Sequence, residues 1–168
     1  MPQIIKKHCK IFAYKTIEYI KDLIDRVLEK IDLYSKDAAE LVLNTMKVES
    51  QLKYIRQIKG PACGLGQCEP GVAVDVITNY LSYRKNLMRK VAEACCVKLS
   101  YFTDPKEDDW AWILETNLAA MIAFCRLHYR RVPKPLPKTL DEQWLYYKKY
   151  YNTEQGKATH DHWLELIK

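Results

Sequence analysis

Glycine and long apolar runs are both scarce in this chain. Only five of its 168 residues are glycine, and no uninterrupted run approaches the roughly 18 apolar residues of a membrane-spanning helix. The N-terminal stretch MPQIIKKHCKIFAYKTIEYIKDL is basic, but lysines interrupt its apolar residues throughout. Because a secretory signal peptide needs a continuous apolar centre, we expect a protein made in the cytoplasm without a signal peptide and without a membrane span.

Recognisable metal and cofactor motifs are also lacking. Cys95 and Cys96 are adjacent, and Cys63 and Cys68 have no matching His or Cys pair, so the usual zinc spacing is absent. No Gly-Lys-Ser/Thr follows the glycines, which argues against a phosphate loop. We therefore expect no metal and no organic cofactor. The six cysteines should be mostly buried, reduced thiols, and a Cys63–Cys68 disulfide remains an alternative in an oxidising compartment.

What the chain has instead is helical periodicity nearly everywhere. Apolar residues recur at three- and four-residue spacing between positions 17 and 31, which predicts a helix of about 18 residues. Ser35 is a good N-cap for a second helix that ends near Ser50, and 72–88 and 89–99 indicate one or two more. With 48% hydrophobic and 29% charged residues, we predict one all-α domain spanning 1–168, with an N-terminal helix within 1–34 and room for a small hairpin.

Capping residues in the sequence predict where the later helices begin. Asp104 as cap, Pro105 in the first turn and Glu107 in a capping box predict the start of a long helix, buried from Trp112 to Cys125. PKPLP at 133–137 predicts a stiff extended link. Thr139 and Glu142 then form a second capping box, and Thr159 is a cap for a short terminal helix. His160 and His162 with Asp161 resemble half of a metal site, but surface histidines are the better interpretation.

Glycine is concentrated beside one glutamate. Four of the five glycines lie at positions 60, 64, 66 and 71, shortly after Glu49. Glu49 is predicted at the C-terminal end of its helix, where the negative helix dipole and the apolar neighbours Val48 and Leu52 would raise its pKa. A glutamate that keeps its proton near neutral pH suits a general acid. The glycines would let an extended substrate approach the backbone, and Gln67 could bond a sugar or acetamido group.

These residues resemble a known pattern. Glu49-Ser50, followed by GPACGLGQCEP, is similar to the soluble lytic transglycosylase and goose-type lysozyme superfamily, with Gly66 in place of the methionine of its Gly-Leu-Met-Gln segment. The stretches GPA.G..Q.EP, CRLHYRRVP.PLP and YYNTEQGKAT resemble the lysozyme-like proteins of tailed bacteriophages, over about 35–160. The resemblance implies a lysozyme-like helical domain.

Site residues follow from the resemblance. It implies that Glu49 is the catalytic general acid, that Ser50 supports it, and that Gly64, Leu65 and Gln67 line the substrate groove. Asn117 would match a third motif. Tyr151, with Asn152, would match a late motif whose tyrosine orients the glutamate; the TEQG that follows departs from that motif, so Tyr147 and Tyr150 are alternatives. A second carboxylate would be Glu69, with Asp75 and Glu93 as alternatives.

The function implied is cleavage of the β-1,4 bond between N-acetylmuramic acid and N-acetylglucosamine in peptidoglycan, by a hydrolase or a lytic transglycosylase. The partners implied are peptidoglycan glycan strands and other virion or tail proteins. The protein would act in the host cell wall or periplasm, as part of the phage particle or as an endolysin released through a holin.

Two other functions compete with this one. The first is a catalytically silent virion or tail protein that keeps the lysozyme-like fold. The second is a nucleic-acid binder, since segment 121–150 carries seven basic residues against two acidic ones within a chain of formal charge +6. No recognised nucleic-acid module accompanies that segment, so we rank this function last.

Overall fold

The computed structural model describes residues 3–152, 156 and 158–167, with side chains from residue 16 onward. Over these residues the chain is one all-α domain of nine α-helices, as predicted, with a 3-10 turn at Leu81–Tyr83 and a π-helix at Lys148–Asn152. The helices are α1 (Gln3–Lys30), α2 (Lys36–Ser50), α3 (Pro70–Asn79), α4 (Lys85–Ala94), α5 (Ser100–Thr103), α6 (Glu107–Thr116), α7 (Leu118–Arg130), α8 (Leu140–Tyr147) and α9 (His160–Ile167).

Helix α7 lies at the centre of the fold. Every side chain from Ala120 to Leu127 is buried, and α7 packs against α1, α2, α3, α4 and α6. A helix that is apolar on all sides has to be covered on all sides, and this composition explains its central position. The buried helix expected here is therefore confirmed from residue 120 onward, but Trp112 is 67% exposed, contrary to the prediction.

The long helix expected from Asp104 is wrong in its start and in its continuity. Asp104 ends α5 by donating its backbone N–H to Ser100 O at 3.0 Å, and α6 begins at Glu107 without a side-chain cap. The run then breaks at Asn117, whose side chain accepts a hydrogen bond from Ala120 N at 3.0 Å and donates one to Cys95 O at 2.7 Å. The second of these bonds reaches 22 residues back, so local spacing could not predict it.

Other helix ends agree with the sequence. Ser35 accepts a hydrogen bond from Ala38 N at 3.1 Å, Thr139 and Glu142 form the predicted capping box, and Thr159 accepts from His162 N at 3.3 Å. The first helix is longer than expected, with 28 residues. Between 72 and 99 two helices form, but the break lies at the 3-10 turn rather than at 88–89.

The expected hairpin is reduced to two isolated antiparallel bridges, Arg56–Cys63 and Cys63–Cys68. The five cysteines with described side chains are free thiols, so Cys63 and Cys68 are unbonded here; Cys96 is exposed and the other four are buried. The Cys9 side chain and residues 153–155 of the late motif lie outside the described residues. In the described part of the chain, none of the helices has the length and hydropathy needed to cross a bilayer.

Candidate active site

Glu49 lies in the last turn of α2, directly before the chain reverses. Gln51 ends the helix in the left-handed conformation, with φ at 52°. Ser50 is fully buried; its hydroxyl donates to Met46 O at 2.9 Å and accepts from Leu52 N at 3.2 Å. Ser50 therefore fixes the backbone on which Glu49 is held, and its hydroxyl is not presented to solvent.

Two side chains from the far end of the sequence hold the Glu49 carboxylate. The Tyr147 hydroxyl donates to Glu49 Oε1 at 2.7 Å, and the Asn152 side chain forms a second hydrogen bond. Burial raises the pKa of Glu49 above its usual range, and the two hydrogen bonds offset part of that rise because they stabilise the charged form. The raised pKa agrees with the expectation from sequence.

Tyr147 is held rigidly for this contact. Its side chain is only 1% exposed, packs against Trp163 with ring centroids 4.9 Å apart, and stacks on Tyr151 at 6.2 Å and 21°. Burial and the neighbouring Glu49 carboxylate raise the pKa of Tyr147, so the phenol stays protonated and acts as a donor.

Asn152 is oriented by the π-helix that contains it. Lys148 Nζ donates to Asn152 Oδ1 at 2.9 Å and to Gly156 O at 2.5 Å. With its oxygen engaged by Lys148, the Asn152 amide presents its N–H group to the Glu49 carboxylate. Gly156 has to be glycine here, because a Cβ would lie 2.0 Å from Asn152 Oδ1. Single π-helical turns are frequent at functional sites.

The glycine-rich loop that follows Glu49 in the sequence packs on α6 and α7. Cys63 and Cys68 exchange two backbone hydrogen bonds of 2.9 Å and so close the turn that contains Gly64. Gly64 has a φ of 74°, and a Cβ there would lie 2.6 Å from Leu114 O and 2.7 Å from Met121 Cγ. The glycine at 64 is thus required by the positive φ and by the approach to α6 and α7. The sequence pattern had suggested approach of a substrate instead.

Tyr151 connects this loop to Tyr147, the tyrosine bonded to Glu49. Its hydroxyl donates to Gly66 O at 2.6 Å, while its ring stacks on Tyr147. The Gln67 amide spans the loop, donating to Gly64 O at 2.7 Å and to Tyr54 O at 3.3 Å. The loop and Glu49 are therefore parts of one assembly, with Tyr147 rather than Tyr151 bonded to the glutamate.

The remaining candidates occupy different places. Leu65 is 5% exposed and belongs to the core. Glu69 is exposed at the N-cap of α3 and makes no capping hydrogen bond. Asn117 is engaged at the junction of α6 and α7. Asp75 pairs with Asn79 and Arg131, and these contacts lower its pKa. Glu93 is exposed on α4.

Sequence reasoning missed residues that are far from Glu49 along the chain but contribute to its surroundings. Lys148 and Trp163 were not singled out, and Asn152 was noted only as the neighbour of Tyr151. The one signal available was the isolated glycine at 156, close behind a tyrosine–asparagine pair.

A cavity of about 450 Å³ lies between α1, α2 and parts of α8 and α9, and Glu49 does not line it. Its walls mix the apolar Ile24 and Leu43 with charges of both signs, among them Lys47, whose amine donates to Ile167 O at 3.2 Å. This cavity and the Glu49 carboxyl are therefore separate places in the described structure.

The described residues contain no group of three or more His, Cys, Asp or Glu side chains arranged to hold a metal ion. Comparisons with protein-family models, with curated proteins and with solved structures found no match to this chain.

Proposed function

We propose that the protein is a peptidoglycan-degrading glycosidase that cleaves the β-1,4 bond between N-acetylmuramic acid and N-acetylglucosamine, with Glu49 as general acid. The observation that carries the proposal is the half-buried Glu49 carboxyl, which accepts a hydrogen bond from the Tyr147 hydroxyl at 2.7 Å and whose pKa is raised by burial. The resemblance of Glu49-Ser50 and the loop 64–67 to the lytic transglycosylase and goose-type lysozyme superfamily supplies the substrate class.

The environment of Glu49 suits both stages of proton transfer. Burial favours the protonated acid before the reaction, which then gives its proton to the glycosidic oxygen as the C1–O bond breaks. The hydrogen bonds from Tyr147 and Asn152 favour the carboxylate that remains. A general acid needs a proton that it can hold and also release, and these opposing influences provide both.

The fate of the glycosyl cation separates two mechanisms. In a lytic transglycosylase the sugar's own hydroxyl closes on C1 and gives an anhydro product. In a hydrolase a second carboxylate holds the water that attacks, and Glu69 is the candidate because it is exposed directly after the glycine-rich loop. A separation of about 6.5–9.5 Å between the two carboxyls would leave room for that water and give inversion. At about 5 Å Glu69 would instead attack C1 itself, and water would then hydrolyse the covalent glycosyl-enzyme with retention.

The burial of Glu49 and its absence from the lining of the 450 Å³ cavity favour one other candidate, a virion or tail protein without turnover. Nucleic-acid binding is less supported, because two cations of segment 121–150 are already committed. Arg126 is 7% exposed and donates to Leu33 O at 3.3 Å, and Arg131 pairs with Asp75. The phage association, the action in the host wall and the virion partners remain part of the proposal.

Digestion of purified peptidoglycan by the wild type and by Glu49→Gln tests the proposal, with the products identified by mass spectrometry. We expect muropeptides from the wild type and none from the variant. Anhydro ends would identify a lytic transglycosylase, and reducing ends a hydrolase that uses Glu69. If neither protein released products between acid and neutral pH, the silent virion protein would replace the enzyme.

A further inference from the structure

A second concave surface lies on the outer face of α6, away from the contacts of Glu49. It is a cavity of about 340 Å³, which we term the Trp112 cavity. The lining residues used below are Lys98, Tyr101, Asp109, Trp112, Thr116 and Asn117.

The aromatic side chains of this cavity are exposed although their sequence neighbours are buried. Trp110 is fully buried and Phe102 is 3% exposed, whereas Trp112 is 67% and Tyr101 is 36% exposed. The core face of α6 is formed by positions 110, 113 and 114, so Trp112 falls on the opposite side of the helix. Trp112 is therefore not part of the core, and with Tyr101 it forms an exposed aromatic patch in one cavity, a feature that marks interaction sites.

The two aromatic rings are carried by elements that are fixed to each other. Trp110 Nε1 donates to Tyr101 O at 3.1 Å, and the Phe102 and Trp110 rings meet edge to face at 5.0 Å. These buried contacts hold α5 against α6. The exposed pair, Tyr101 and Trp112, is therefore presented from a rigid base, which lowers the entropy cost of binding a ligand.

Polar groups accompany the rings. Asp109, Trp112 and Thr116 follow one another at spacings of three and four residues, so they share one face of α6. The Asp109 side chain makes no hydrogen bond or ion pair with any residue that the structure describes, whereas the Asn117 amide already donates one hydrogen bond and accepts another. Lys98 is exposed on the other side. The cavity thus offers one free acceptor, one donor and aromatic faces.

We propose that the Trp112 cavity binds a glycan. A pyranose ring has C–H groups that pack on the electron-rich face of an aromatic ring and hydroxyls that match Asp109 and Lys98. One acid and one base leave the cavity with no excess charge, which disfavours phosphates and nucleic acid. That the sugar is N-acetylglucosamine of the cell wall rests on the proposed function, and the cavity would then hold the insoluble substrate at a distance from Glu49.

Fluorescence titration with soluble β-1,4-linked N-acetylglucosamine oligomers tests the proposal in the Glu49→Gln protein, where cleavage does not interfere. Trp112 is the most exposed of the four tryptophans, so its emission should shift to shorter wavelength on binding. Adding Trp112→Ala removes this reporter, so its binding is measured by isothermal titration calorimetry, as is that of the parent protein. The affinity should fall about tenfold, the equivalent of one aromatic contact. Tyr83→Ala is the matched control, because Tyr83 is 79% exposed and outside this cavity.

The outcomes separate this inference from the proposed function. Oligomer binding that Trp112→Ala leaves unchanged would overturn the inference, even if the wild type digests peptidoglycan. Binding that depends on Trp112, together with a wild type that releases no products from peptidoglycan, would support the glycan site and overturn the proposed enzyme. Wild-type dimers that Trp112→Ala dissociates, without oligomer binding, would overturn the inference in favour of a contact between copies.

Discussion

At the scale of single residues, two buried tyrosines of α8 differ in whether their hydroxyls form a hydrogen bond. The Tyr147 hydroxyl donates to Glu49, whereas the Tyr146 hydroxyl is buried without a partner among the described residues. We expect Tyr147→Phe to lower the free energy of unfolding by about 1–2 kcal/mol, because a buried hydrogen bond is lost. Tyr146→Phe should be neutral or stabilising. Urea denaturation of both variants measures the contrast, and equal effects would contradict the assigned bond.

The protonation of Glu49 should also appear in stability. Its pKa is raised in the fold, so the folded protein holds this proton more tightly than the unfolded chain does. The stabilisation is full below the ordinary glutamate pKa of about 4.3 and is lost as the pH rises through the raised value. Glu49→Gln should therefore match the wild type in acid and have the higher melting temperature at pH values above the raised pKa.

Asp75 provides a control of opposite sign for the Glu49 experiment. The hydrogen bond from Asn79 and the pairing with Arg131 lower its pKa, so its contribution is present above the ordinary aspartate pKa and is lost as the pH falls through the lowered value. Asp75→Asn should therefore lose stability at neutral pH, and the loss should shrink in acid. A Glu49→Gln variant that follows the Asp75→Asn pattern would show that the Glu49 pKa is not raised.

Glu49 could be singled out from sequence as a candidate because its signals are adjacent: a helix end, a serine and glycines within a short distance. Tyr147 could not be selected in advance, because it lies 98 residues away and three nearby tyrosines have the same local pattern. The packing of Tyr147 on Trp163 and of Tyr151 on the loop decides between them. Tertiary contacts of this kind leave no periodic trace in the sequence.

At the scale of helices, Asn117 and Asp104 offer a comparison between a cap that forms and one that does not. Asn117→Ala removes the cap of α7 and leaves Cys95 O without its donor, so we expect a loss of about 2 kcal/mol. Asn117→Asp keeps the acceptor for Ala120 N and should recover part of it. Asp104→Ala should change stability by less than about 0.5 kcal/mol, because the Asp104 side chain is 80% exposed.

Thermal or urea unfolding measures these stabilities, and digestion of peptidoglycan by the same variants tests the role of Asn117 in substrate binding. If Asn117→Asp were as stable as the wild type and yet failed to digest peptidoglycan, the residue would bind substrate as the resemblance implies. Helix boundaries were predictable where caps are local, as at Ser35, Thr139 and Thr159. The boundary at Asn117 was not predictable, because a hydrogen bond from its side chain to Cys95 O divides one apolar run into two helices.

At the scale of the whole molecule, helix α9 supports the surroundings of the candidate general acid. Besides the main core there is a second cluster, formed by Val48, Tyr147 and Trp163, which joins the end of α2 to α8 and α9. Val48 precedes Glu49, and Tyr147 bonds to it. Trp163 is fully buried against Tyr147, so the position of Tyr147 depends on a residue close to the end of the described chain.

Because Tyr147 depends on Trp163, we expect substitution of Trp163 to lower both stability and activity. Trp163→Ala should cost about 3–5 kcal/mol, since it leaves a large cavity, and should reduce peptidoglycan cleavage because Tyr147 loses its support. Trp163→Phe keeps most of the ring and gives up an indole N–H that has no partner among the described residues, so it should cost clearly less. Cleavage assays at a temperature where each variant is folded separate the two effects. Full activity in folded Trp163→Ala would mean that Glu49 acts without the orientation that Tyr147 provides.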